Sequence, residues 1–272
     1  LVKDGGIVTS LNKHTGEVLK QGRLREAMDR YFASPVGADG KVFMASEPGV
    51  VSMLRHGNPW EVLATNKLDG ECHATPVIMD GKLYVADAMG LHVVDIASGT
   101  VDETITLEGA MFPNDVAIGP DGAVYVTDMF GGAVFRVMDG SAEAFVPAGS
   151  MDLPNGIWAQ EDRLVVGSMG KEWLMDQGRI EGKGQLYAVT YDSADVTTLP
   201  GAEETGAIDG IVEIGGKLIY SDNPTGEIVA YDGAGLETLT TTEAGAGDIG
   251  MMGQMVLVPF LQGGKIMAVP VE

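Results

Sequence analysis

The chain has 272 residues, with 39 acidic against 17 basic side chains and a formal net charge of −22. Such acidity repels phosphate backbones and excludes nucleic acid as an expected partner, and no apolar run approaches the roughly 18 residues of a membrane span. A single cysteine, Cys72, excludes an internal disulfide, and 39 glycines with frequent Asp-Gly and Pro turns point to an all-β protein of short loops.

In chain order, residues 1–23 read as two strands, GIVTSLN and EVLKQGR, without a hairpin in front of them. They read as the outer part of a blade. EVLKQGR is the natural outermost strand for the C-terminal blade, which ends one strand short. GIVTSLN is then surplus, and an unpaired edge of that kind invites strand swapping. Leu24 to Tyr31 reads as a connector or one short helix.

A repeating unit follows, clearest in MFPNDVAIGPDGAVYVTD at 111–128. An apolar strand runs into Asp-Gly and a second apolar strand, the strongest short-range hairpin signal. Copies begin at Ser34, Thr75, Asn114, Asn155, Asp209 and Asp248, with turns at 40, 81, 122, 162, 216 and 253. Two further short strands follow most hairpins. Four strands per roughly 40–45 residues is the period of a propeller blade. Six anchors predict a six-bladed β-propeller of four-stranded antiparallel blades, forming one domain over 1–272. Seven blades is the alternative if residues 1–23 start a blade of their own. The wide spacing between turns 162 and 216 marks an insertion at 167–184, read as a solvent-exposed loop, with a lid over one channel mouth as the alternative.

Charge is unevenly divided. Residues 1–89 hold 10 basic and 11 acidic side chains, net −1, and residues 90–272 hold 7 and 28, net −21. The four histidines also fall within the first 92 residues. This step suggests two sources of sequence meeting at a seam near 84–91.

Two resemblances agree with that division. SLNKHTGEVLK (10–20), SPVGADGKVFMASEPGVVSMLR (34–55), EVLAT (61–65) and ECHATPVIMDGKLYV (71–85) resemble the pyrroloquinoline-quinone-like propeller repeats. That resemblance implies a blade type and no quinone site; Lys20 stands where the repeat usually has tryptophan. FPNDVAIGPDGAVYVTD (112–128), LPNGIWAQEDRLVVGS (153–168), GAIDGIVEIGGKLIYSD (206–222) and GAGDIGMMGQMVLVP (245–259) resemble the senescence marker protein, gluconolactonase and luciferin-regenerating family. Two families in one ring look like an engineered or recombined chimera. Members of the parent families are often periplasmic or secreted in bacteria, and a soluble monomer is expected.

The six copies place Ser34, Thr75, Asn114, Asn155, Asp209 and Asp248 at matching ranks around one mouth of a central channel. A ring of oxygen donors suits a hard divalent cation, Ca²⁺ first; the ring positions hold no histidine or cysteine for a softer metal. The second resemblance implies the same places: Asn155 and Asp209 as metal ligands, Asn114 beside metal and substrate, and Asp209 or its water acting in lactone hydrolysis. The chain departs twice from that pattern. Ser34 stands at the rank of the first-blade Glu, and Phe112 replaces the substrate-binding Arg. Three functions follow: a propeller without developed enzymatic activity that keeps part of a cation site, a metal-dependent hydrolase of lactones or sugar-derived ligands, or an interaction scaffold. Asp115 reads as a turn cap, Cys72 beside His73 as a buried thiol, and Asp87, Asp128 and Asp222 as hydrogen-bond partners of loops.

Overall fold

A computed structural model describes residues 1–57, 59–260 and 264–271. Among these residues all regular structure is β, and no helix is long and apolar enough to cross a membrane. The chain forms two compact units, Leu1–Pro113 and Asn114–Glu272. In the first, β1 (Val2–Lys3), β2 (Ile7–Leu11) and β3 (Val18–Arg23) make a three-stranded sheet. A four-stranded sheet follows from β4 (Val36–Ala38), β5 (Lys41–Ala45), β6 (Val50–Arg55) and β7 (Glu61–Lys67). Another comprises β8 (Val77–Met79), β9 (Lys82–Asp87), β10 (Gly90–Asp95) and β11 (Val101–Thr106).

The second unit opens with the sheet of β12 (Pro113–Ile118), β13 (Val124–Asp128), β14 (Ala133–Met138) and β15 (Ser141–Val146). The next starts with β16 (Pro154–Ala159) and β17 (Arg163–Ser168). An inserted hairpin of β18 (Glu172–Leu174) and β19 (Arg179–Glu181) precedes its last strands, β20 (Leu186–Thr190) and β21 (Val196–Thr198). Then come β22 (Ile208–Ile214), β23 (Lys217–Asp222), β24 (Glu227–Tyr231) and β25 (Leu236–Thr241). The final sheet has β26 (Gly250–Met252), β27 (Met255–Pro259) and β28 (Ile266–Pro270).

Seven blade sheets therefore replace the six expected: three in the first unit and four in the second. The difference lies at residues 1–23. Val2 pairs with Val8 and Lys3 with Ile7 around Asp4-Gly5-Gly6, whose glycines take φ of 80° and 66°. This is a hairpin of the expected kind, with only two residues in its leading strand. EVLKQGR forms β3 and pairs with β2, so neither strand is surplus within the first unit. The segment after β3 is an irregular connector with no helix.

The turn chemistry follows from backbone sterics. Asp39-Gly40 and Asp80-Gly81 join strands through two-residue turns with positive φ at both positions, 49° and 66°, then 50° and 76°. That geometry matches strand twist, and Asp-Gly tolerates it where β-branched residues do not. Strand alternation sends apolar side chains onto both faces, so within each unit neighbouring sheets pack on one another. Phe43, Val51, Leu83 and Val85 fill one such layer, Tyr125, Val134, Leu164 and Val166 another, and Ile219, Ile228, Val256 and Val258 a third. Each fully buried large side chain of this sort contributes about 1.5–3 kcal/mol.

Loop-facing aspartates complete the frame. Asp87 accepts the Gly70, Met89 and Gly90 N–H groups and pairs with His92 Nε2 at 2.7 Å, while His92 Nδ1 lies 3.0 Å from Thr104 Oγ1. Burial alone would raise the Asp87 carboxyl; the His92 and backbone hydrogen bonds outweigh it and hold the carboxyl below its usual range. Asp222 accepts the Ala207 N–H at 3.4 Å. Cys72 is buried, and burial pushes its thiol up to about 12, which suits an inert thiol.

Candidate functional site

The first strands of successive sheets in the second unit are held together by short polar side chains. Thr127, fully buried near the end of β13, accepts the Asp115 N–H at 3.0 Å and donates to the Asn155 carbonyl at 2.7 Å. Ser221 in β23 repeats the device, accepting the Gly210 N–H at 3.1 Å and donating to the Gly247 carbonyl at 2.9 Å. Each hydroxyl thereby ties the first strand of its own sheet to the start of the following sheet.

Glycines permit this approach. A Cβ on Gly156 would overlap the Asp209 carbonyl oxygen, and one on Gly210 would run into Asp248 and the Ile249 nitrogen. The Asn-Gly and Asp-Gly pairs at these strand starts are thus needed for close packing between sheets. Register shifts occur at both places, between Pro154 and Ile157 and between Ile208 and Ile211, where bulges turn single side chains out of the ladder.

Asp115, Asp209 and Asp248 interact electrostatically at these strand starts. Asp115 accepts the Val116 N–H through Oδ1 at 2.8 Å and the Ile157 N–H through Oδ2 at 3.0 Å. It caps its own strand and also reaches the next sheet. Burial, then the charges of Asp248 and Asp209, push its carboxyl well above the usual range against those two hydrogen bonds. Asp209 accepts from Asn223 Nδ2 at 2.7 Å; burial and the Asp248 charge raise its carboxyl to about 7.

The expected site residues divide between the units. Ser34 and Thr75 lie in the first, where the Ser34 N–H donates to Thr75 Oγ1 at 3.0 Å. Asn114, Asn155, Asp209 and Asp248 lie in the second. Asn114 Nδ2 contacts Met129 Sδ at 3.5 Å, and Asn155 is 5% exposed. The donors are hard oxygens, which suit a divalent cation in kind. Among the described residues no three His, Cys, Asp or Glu side chains are placed to hold a metal ion, so a cation here would need the asparagine oxygens or water. The sequence reading gave Asp115 only as a turn cap; its bridge to the Ile157 N–H of the next sheet was missed, and its position one after a rank residue was the available signal.

Phe112 packs on His73 at 4.7 Å, and His73 stacks on Phe32 at 5.2 Å. Three successive copies thus carry a ring two residues before Ser34, Thr75 and Asn114. The insertion is anchored beside the strand starts: the Met169 N–H donates to the Leu153 carbonyl at 3.0 Å and the Gly184 N–H to the Gly206 carbonyl at 2.7 Å. Trp173 of its hairpin faces Phe130 at 6.3 Å.

The sheets define a β-propeller. Over 98% of this chain and 90% of that one, the fold is similar to the hydrazine synthase of Kuenenia stuttgartiensis, at 15% identity and a TM-score of 0.79. Virginiamycin B lyase from Staphylococcus aureus aligns over 98% of this chain and 89% of its own, at 14% identity and a TM-score of 0.77. The computationally designed Ika8 protein aligns over 99% and 92%, at 12% identity and a TM-score of 0.66. No protein-family model matches the sequence, and no curated protein matches it. At these identities the likeness is one of fold.

Proposed function

We propose that the chain is a binding propeller without developed enzymatic activity. It retains part of a divalent-cation site, Ca²⁺ first, at the strand starts of its second unit. The observation that carries this reading is the Asp209 carboxyl, raised to about 7 by burial and by the charge of Asp248, among strand starts rich in oxygen donors. Carboxylates crowded in this way hold protons until a cation replaces them. Asn155, Asp209 and Asp248 would hold the ion, with Asn114 beside it; both Asp115 oxygens are already taken by backbone N–H groups. The lack of a converged third carboxylate argues for weak binding completed by water. Calorimetric titration of the chelated protein with Ca²⁺ tests the reading against Asp209→Ala. Binding in the parent that is lost in the variant supports it, and no binding in either removes it.

One observation favours a second reading, a metal-dependent lactone hydrolase of the gluconolactonase type. An Asp209 carboxyl near 7 is poised to exchange protons at neutral pH, as a general base must. Against it stands Phe112, packed on His73 where the family resemblance implies a substrate-binding arginine. Lactone turnover abolished by chelator and by Asp209→Asn would favour hydrolysis. A metal-bound protein without turnover would leave the first reading.

A further inference from the structure

The first unit holds a cleft of about 280 Å³ far along the chain from the acidic strand starts. One wall is the end of β3 and the connector after it, with Arg23, Leu24, Arg25 and Glu26. The other comes from β6 and β7, with Ser52, Val62 and Thr65. Ser52 and Thr65 are cross-strand partners, so two hydroxyl-bearing residues meet at the floor. Leu24 is buried with Val8, Ala27 and Leu54, and its N–H donates to the Gly6 carbonyl at 2.8 Å. Arg23 and Arg25 flank this anchored residue and are displayed from a fixed backbone.

Their pairing sets these two arginines apart. The chain has seven arginines. Arg30, Arg55, Arg136, Arg163 and Arg179 each pair with a carboxylate within 4 Å. Among the described residues Arg23 and Arg25 alone do not, in a chain where acidic side chains outnumber basic ones by 39 to 17. Even Glu26, beside them on the same wall, forms no ion pair with either. An exposed arginine fork on an acidic protein readily recruits a carboxylate, so two left without one at a single cleft mark a position kept for an external anion. The exposed Val62 and the Leu24 side offer apolar contact to the rest of the ligand.

We infer that the cleft between the β3 connector and β6–β7 is a binding site for a small molecule bearing an oxyanion, a carboxylate or a phosphate. The two guanidinium groups grip the oxyanion, the Ser52 and Thr65 hydroxyls are available to donate to it, and an aliphatic portion lies against Val62. The volume suits a small molecule, lying just below the usual range for drug-sized ligands.

The test is calorimetric titration of the full chain at constant ionic strength with inorganic phosphate and, separately, with butyrate. Amide shifts of Ser52 and Thr65 are followed by NMR. Arg23→Gln/Arg25→Gln is compared with the parent and with Arg179→Gln, and circular dichroism checks the fold of each. Saturable binding of either anion, moving both amides, weakened at least about tenfold in the double variant and unchanged in Arg179→Gln, upholds the site. The tighter anion then names the headgroup. Saturable binding that survives in the double variant, or no saturable binding of either anion by the parent, overturns it.

Discussion

Replacing Thr127 by Val removes a hydroxyl while keeping the shape of the side chain. Thr127 is fully buried, so water cannot substitute for the lost group. Two backbone groups lose their partner: the Asp115 N–H, held at 3.0 Å, and the Asn155 carbonyl, held at 2.7 Å. Each buried polar group left unsatisfied costs about 1–3 kcal/mol, so the substitution should cost about 2–4 kcal/mol in total after local relaxation. No cavity term adds to this, because valine fills the same space. Equilibrium urea unfolding measures the change, with Thr197→Val on the exposed face of β21 as a control expected to stay within about 0.5 kcal/mol. If Thr127→Val also stays within about 0.5 kcal/mol, the hydroxyl bridge between successive sheets is not a stabilising device and the reasoning fails.

Other outcomes follow from the same contacts. The Asp209 carboxyl titrates higher in the folded chain than unfolded, so its stabilising effect is complete below pH ~4 and is lost as pH rises towards about 7. Asp209→Asn should therefore stabilise the protein by up to a few kcal/mol at pH 8 and change little at pH 4, read from melting temperatures at both pH values; stabilisation equal at both would refute the shift. Asp87 is lowered instead, so its contribution is present above the unfolded carboxylate range and is lost on acidification. Asp87→Ala should cost about 3–5 kcal/mol at pH 7 by orphaning His92 and three N–H groups, and the deficit should shrink in acid; a deficit that stays constant with pH would contradict the assignment. Gly156→Ala forces β16 away from Asp209 and should destabilise by more than about 1 kcal/mol, with the Asp209 titration moving towards the normal range as water enters.

Much of this was legible in the sequence for a physical reason: Asp-Gly turns with positive φ leave a mark that survives divergence. Asp39-Gly40 and Asp80-Gly81 were readable because strands of at least three residues flank them. Asp4-Gly5-Gly6 carries the same chemistry, but Val2-Lys3 is too short to show alternation, and the blade count came out one low. Ranks of strand starts placed Asn155, Asp209 and Asp248 near one another, since rank is a one-dimensional property of the repeat. The bridging of Asp115 to Ile157 and the orphaned arginines at the β3 connector depend on side-chain direction and on what lies opposite. No single strand records either.

The central claim is that the crowded carboxylates at the strand starts are waiting for a cation. NMR titration of the Asp209 side-chain carboxyl, in chelator and then in excess Ca²⁺, tests it most directly. The account expects a midpoint of about 7 without the ion and a fall of at least one pH unit with it. A midpoint in the ordinary carboxylate range, or a raised one that Ca²⁺ leaves in place, would contradict it.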